Sequence, residues 1–229
     1  MDHLRGHPAP RAIEAVIFDY GGVLSTTPFA GIAEYERKMG YPERSLAQLL
    51  FGKGASPQGP AEDPDHDWHL LETGRLTLDE FHERLVERSE AALGQPLDLG
   101  DYAQFLRELG VGIHWMMIHR VRQLRADGYR TAILTNNVKE WGRYWKGSIP
   151  LDLFDLVVDS CDVGLRKPDP AIYRLTCERL AVAPEAAVFL DDTRRHVEGA
   201  RQIGLHAILV RDPWAALAEL DAILEAAAA

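Results

Sequence analysis

Cysteine is scarce in this chain, with only Cys161 and Cys177 among 229 residues. Their separation matches no metal-ligand spacing, so both are expected to be small buried hydrophobes in a reducing cytosol. Long apolar runs are missing too, so no transmembrane helix is expected, since one needs roughly 20 such residues. The opening residues, MDHLRGHPAPR, hold no apolar h-region and therefore no expected secretory signal. A cytoplasmic protein is the expectation. Positive charge is also in short supply, with 25 Lys and Arg against 35 Asp and Glu and a formal net charge of −10. Such a surface repels phosphate backbones and anionic lipid, which argues against nucleic acid and membrane as partners. It repels a small anion equally, so any phosphate pocket here must carry its own cations. No internal repeat is evident, and low complexity is confined to the alanine-rich tail after Leu224, read as a frayed helix end.

What is present is an ordinary globular composition, 46% hydrophobic and 26% charged. That suffices for one substantial core, or a core with a smaller accessory domain. Aliphatic runs at 13–18, 130–134, 154–158, 187–190 and 206–210 read as buried parallel strands. Helical patterns at 119–126, 170–180 and 197–203 alternate with them. This alternation predicts an α/β fold, a doubly wound parallel sheet with helices on both faces. One interval breaks it: from 29 to 112 no strand pattern appears, far beyond an ordinary connection of about 4–6 residues. Helical stretches are expected there at 30–39, 45–50, 77–93 and 101–109, with an exposed Gly/Pro/Asp-rich loop at 52–67. The expected division is a core of 1–28 and 113–229 with a helical insertion of 29–112 over the strand ends.

Ligands in such sheets bind beyond the carboxyl ends of the strands. The first strand runs into Asp19-Tyr20-Gly21-Gly22, and the second ends in Thr135-Asn136-Asn137. The third leads to Gly164-Leu165-Arg166-Lys167-Pro168-Asp169, and the fourth to Asp191-Asp192-Thr193. Singly, each has a plainer reading as turn or helix-start chemistry. Together they place several acids, a hydroxyl and a lysine at one edge of one sheet.

The segments AVIFDYGGVLS, AILTNN, GLRKPDPAIY and VFLDDTRRHVEGA resemble the four successive motifs of the haloacid dehalogenase-like (HAD) superfamily. The stretch from Arg130 to Val210 is especially similar to the phosphatase half of soluble epoxide hydrolases. The resemblance implies a Rossmann-like core with a helical cap inserted after the first strand. It implies a hydrolase, with a small phosphorylated molecule as substrate and Mg²⁺ as cofactor. Asp19 is then the nucleophile, forming an aspartyl-phosphate that water cleaves. Lys167 holds the Asp19 carboxylate and the phosphoryl oxygens together. Thr135, the backbone N–H of Asn136, and Gly22 complete the phosphate site. Asp19, the Gly21 carbonyl and Asp192 are the implied metal ligands, with Asp191 acting through water or by holding Lys167.

Two positions depart from the family pattern. Gly21 stands where the family's phosphatases usually place a second aspartate, an acid/base worth about 10²–10⁴ in rate. Three explanations stay open: a leaving group that departs unprotonated, as in an acyl or anomeric phosphate; another proton donor, such as His66, His69 or a metal-bound water; or a slow binding module. The second is His196, where asparagine is usual. A helix cap or loop hydrogen bond is the favoured reading over a titrating group beside Asp191 and Asp192. Tyr173 is expected in the core. Among the insertion residues, the His66/His69 pair lacks a third metal ligand, while Trp68 and Arg75 either face the pocket or play a structural part. Trp141, Arg143, Tyr144 and Trp145 form an aromatic-basic cluster at the pocket mouth or a dimer contact, so monomer and homodimer both stay open. The leading function is a Mg²⁺-dependent phosphatase on a small organophosphate. The alternatives are a 2-haloacid dehalogenase, whose halide leaves without a proton, and a catalytically weak phosphate-ligand-binding regulatory protein.

Overall fold

The computed structural model describes residues 12–27, 29–55, 66–97 and 110–228. Strands β1 (Ala15–Phe18), β2 (Arg130–Thr135), β3 (Leu156–Asp159), β4 (Ala187–Asp191) and β5 (His206–Leu209) form one sheet. Every pairing is parallel, in the order β3-β2-β1-β4-β5. The strands read as unbroken apolar runs because both faces are covered. Val16, Phe18, Ile133, Val188, Leu190 and Ile208 join a core with the helices Trp115–Ala126 and Pro213–Ala228. Their neighbours Ala15, Ile17, Ala132, Leu134, Phe189 and Ala207 join a second core with the helices Pro170–Leu180 and Arg194–Gln202. The period-two split of each strand between these cores is the doubly wound architecture expected from the alternation. β2 and β4 extend one residue beyond the apolar runs, which puts Thr135 and Asp191 inside the ladder itself. The tail is helical through Ala228, since Ala216, Leu220 and Leu224 anchor one face of that helix in the core.

From β1 the chain fills the sheet outwards through β2 to β3, then returns to the other side of β1 for β4 and β5. The connections therefore diverge between β1 and β4, and a crevice opens at their carboxyl ends. Asp19, Asp191 and Asp192 emerge there.

Between β1 and β2 lie the helices Phe29–Met39, Ser45–Phe51, Asp67–Glu72 and Leu78–Leu93. Leu46, Leu50, Phe51, Trp68, Leu71, Phe81 and Leu85 build a third apolar cluster, which also takes in Val138 from beyond β2. Thr77 and Glu80 start the long helix with a reciprocal capping box. The chain leaves and returns through adjoining stems: Ser25 bridges Ile113, and the Thr26 N–H donates to the Gly112 carbonyl at 2.8 Å. The helix Asp67–Glu72 arises at the end of a stretch expected to be loop, with the His66 side chain accepting from the Trp68 N–H. The rest of that loop at 56–65 and the expected helix at 101–109 lie outside the described residues. Among the described residues, no helix is long and apolar enough to cross a membrane.

Candidate active site

The parallel register sets Phe18 opposite both Ile133 and Leu190, so Asp19 leaves β1 level with Asp191 of β4 and one residue short of Thr135 on β2. The Asp19 N–H donates to the Leu190 carbonyl at 2.9 Å, and its Oδ1 accepts the Tyr20 N–H at 2.7 Å. Lys167 reaches this point fully buried, at 0% exposure. Its three N–H protons are all placed, on Asp19 Oδ1 at 2.9 Å, Asp191 Oδ2 at 2.6 Å and the Leu134 carbonyl at 3.0 Å. A buried ammonium is tolerated on those terms alone. Burial by itself would lower its pKa, but Asp19 and Asp191 outweigh that and raise it. Burial pushes the Asp19 carboxyl well above its usual range against the pull of Lys167, with Asp191 and Asp192 adding to the rise.

Asp191 and Asp192 are adjacent in sequence and opposite in environment. Asp191 is fully buried and accepts from Lys167, from the Thr193 N–H at 2.8 Å and from His196 Nδ1 at 3.0 Å. Burial would push its carboxyl up, but His196 and Lys167 hold it well below the usual range. His196 thus sits on a strand-end carboxylate, not on the helix-cap or loop bond favoured from sequence. It occupies the first turn of the helix Arg194–Gln202, which brings its ring back over Asp191. Burial lowers the His196 pKa against the pull of Asp191. Asp192 has less support: burial first, then Asp191, push its carboxyl up to about 7.

The two glycines after Asp19 behave differently. A Cβ on Gly22, whose φ is +79°, would stand 2.0 Å from Asp192 Oδ2. Only glycine permits both that backbone angle and that approach. A Cβ on Gly21 would meet nothing within 4 Å.

Asn136 clamps the lysine loop with its side chain. Its Nδ2 donates to the Lys167 carbonyl at 3.0 Å, and its Oδ1 accepts the Lys167 N–H at 2.8 Å. Thr135 is buried at the end of β2, with 2% exposure. Tyr173 is in the core as expected, donating its hydroxyl to the His196 carbonyl at 2.8 Å.

The remaining candidates separate. Trp68 is buried beside Trp141, at 5.6 Å between ring centroids, and donates its Nε1–H to Glu72 at 2.9 Å. Arg75 is exposed. His69 is buried with Nδ1 3.4 Å from Glu72, and His66 caps its helix, so neither joins the other at a metal. Trp145 packs on Tyr20 at 4.9 Å, whereas Arg143 and Tyr144 face solvent against each other. The aromatic-basic stretch is therefore divided between core and surface. Cys177 is buried as expected; Cys161 is half-buried, its thiol donating to Asp159. Sequence reasoning gave no role to Glu72, which bonds Arg166 of the lysine loop at 2.9 Å.

Around Asp19, three carboxylates face one ammonium, an excess of negative charge with raised pKa at Asp19 and Asp192. That donor set fits a hard divalent cation, which takes one or two carboxylates and keeps other positions for water and phosphate. Asp191 already accepts from Lys167, Thr193 and His196, which leaves Asp19 and Asp192 as the less engaged carboxylates.

This fold and strand-end arrangement are those of the haloacid dehalogenase-like hydrolases, to which the chain belongs: the model of that family matches residues 13–204. Among its relatives, the chain is 30% identical over 224 residues to pig (Sus scrofa) Bifunctional epoxide hydrolase 2, covering 93% of this chain and 39% of that protein. It is 29% identical over 211 residues to Phosphatase MT3486 of Mycobacterium tuberculosis, covering 87% and 88%. The chain spans only 20% to 39% of the length of the first curated relatives it matches. Among solved structures, a HAD family enzyme of Bacteroides thetaiotaomicron, in complex with magnesium and inorganic phosphate, superposes with a TM-score of 0.66 at 18% identity, covering 90% and 98%.

Proposed function

We propose that this HAD-like hydrolase is a Mg²⁺-dependent phosphatase that cleaves small organophosphates through an aspartyl-phosphate on Asp19. The observation that carries the reading is the buried Lys167, bonded at once to Asp19 and Asp191 under an excess of carboxylate charge. In an otherwise acidic protein this is the local cation that a phosphate site requires.

Asp19, Asp192 and the Gly21 carbonyl would hold the ion. When bound, Mg²⁺ neutralises phosphoryl charge so that an anionic nucleophile can approach. Asp19 Oδ1 is fixed by the Tyr20 N–H and Lys167, which orients the carboxylate for in-line attack on phosphorus. Asp191 keeps Lys167 in place from below, and His196 keeps Asp191 in place. Asn136 fixes the backbone of Lys167, while the Thr135 hydroxyl and the backbone at Asn136 and Gly22 bind phosphoryl oxygens. The residues 29–112 act as the cap over this edge.

No side chain at Gly21 protonates the departing oxygen, and His69 is spent on Glu72 inside the insertion. The substrate class that suits such a site has a leaving group of low basicity, such as an acyl, anomeric or aryl phosphate. Steady-state hydrolysis of acetyl phosphate with Mg²⁺ tests this. Turnover should vanish with a chelator and in Asp19→Asn; activity indifferent to both would remove Asp19 and the ion from the reaction.

A further inference from the structure

Glu72 ends the helix Asp67–Glu72 of the inserted segment and is 5% exposed. Its Oε2 accepts from Arg166 Nε and lies 2.9 Å from both Nε and Nη2 of that guanidinium. Its Oε1 accepts from Trp68 Nε1 at 2.9 Å, and His69 Nδ1 stands 3.4 Å from Oε2. The backbone is pinned as well. Ser160 Oγ donates to the Glu72 carbonyl at 2.6 Å and accepts the Asn137 N–H at 3.0 Å. Two residues on, Gly74 lies so close to the core that a Cβ would stand 2.8 Å from the Cys161 carbonyl oxygen. Glu72 thus ties the insertion to the lysine loop after β3 through its carboxylate and, through its backbone carbonyl and Ser160, to the loop after β2.

The partner matters more than the tie. Arg166 directly precedes Lys167, whose own N–H and carbonyl are clamped by Asn136. The loop that presents the ammonium is therefore held on one side from β2 and on the other from the insertion. A surface tether would have no need of a charge pair beside the cation that touches Asp19. Charge-assisted bonds at a buried oxygen are strong and directional, and losing one partner leaves the other charged and uncompensated. Burial would raise the Glu72 carboxyl, but the bond to His69, the charge of Arg166 and the bond to Trp68 hold it at about 2, so the pair stays ionised at neutral pH.

We propose that Glu72 is a positioning residue: through Arg166 it sets the loop of Lys167, so that the ammonium is held against Asp19 only while the inserted segment is docked on the core. This rests on the role proposed above for Asp19 and Lys167.

The test compares the full chain with Glu72→Gln, Arg166→Gln and Arg166→Lys in two readouts. With acetyl phosphate and Mg²⁺, Glu72→Gln and Arg166→Gln should each lower kcat about tenfold to a hundredfold with KM within about twofold. Arg166→Lys, which keeps the cation, should recover most of that loss. In amide hydrogen exchange, both Gln variants should speed uptake at 164–169 as well as at 67–74, with β1 and β4 unchanged. Arg166→Gln alone serves if Glu72→Gln does not fold. Wild-type kcat in the variants, or a raised KM with intact kcat, overturns the proposal. So does unchanged exchange at 164–169, whatever the kinetics. If the wild type itself is inert, the phosphatase reading falls, and the exchange result still decides whether Glu72 holds the lysine loop.

Discussion

Gly22 and Asp192, 170 residues apart in sequence, touch so closely that a single added methyl at Gly22 would lie 2.0 Å from Asp192 Oδ2. The β1 turn and the β4 turn are thereby fitted to one another at the crevice between the two strands. Gly22→Ala must displace the carboxylate and adopt φ +79°, a left-handed angle that costs a non-glycine residue roughly 1–2 kcal/mol. The Mg²⁺ concentration for half-maximal activity is expected to rise about 10–100-fold. Titrating activity against Mg²⁺ checks this; an unchanged midpoint would remove Asp192 from the ion.

Gly21 has the opposite surroundings, with open space where a side chain would go. Gly21→Asp is expected to fold normally and to supply the missing proton donor. Hydrolysis of an alkyl phosphate, a poor leaving group, should rise about 10²-fold, whereas acetyl phosphate should gain little. Equal gains for both substrates would argue that proton transfer is not what this site lacks.

These neighbouring glycines show where the sequence was legible and where it was not. The strands were readable because burial on two faces demands continuous apolar runs, and Asp19, Thr135 and Asp191 followed as the polar residues ending them. The helix Asp67–Glu72, ahead of the turn at Gly74, follows a run of Gly, Pro and Asp residues, and its six residues carry too little periodicity to fix its bounds. Which of Asp191 and Asp192 is the more engaged depends on Lys167, Thr193 and His196 meeting one carboxylate, which no spacing reveals. The bond from Glu72 to Arg166 crosses 94 residues and joins two segments with separate local patterns.

The raised carboxyl of Asp192 predicts a pH-dependent instability in the metal-free protein. Its folded value of about 7 lies above the unfolded 3.8, so the folded state holds the proton more tightly between those limits. Stability contributed by the protonated form is lost as pH rises from about 4 to about 7. Asp192→Asn should therefore melt progressively higher than the wild type across that window without Mg²⁺, with the gap constant above it. A gap that narrows as pH rises would contradict the assignment. Glu72, held low in the folded state, titrates near 4.5 only in the unfolded state, so its contribution at the acid end of the window is the same in wild type and variant and cancels from the gap.

His196 supports Asp191 from Nδ1, at 3.0 Å. Removing a hydrogen bond to a buried charge costs about 1.5–3 kcal/mol, so His196→Ala should lose that much in denaturant unfolding. His196→Asn, which can keep one donor on Asp191, should lose less than half of it and retain more activity. Equal losses in both variants would assign the histidine to packing instead.

The proposed reaction passes through a covalent phosphoryl group carried by Asp19. Acetyl phosphate should be mixed with the Mg²⁺-loaded protein, quenched in acid within the first turnover, reduced with borohydride and mapped by peptide mass. An acyl phosphate is reduced to an alcohol, so the account predicts homoserine at position 19 and none in Asp19→Asn. Phosphate release with an unmodified Asp19, or a phosphoryl group trapped on another side chain, would contradict it.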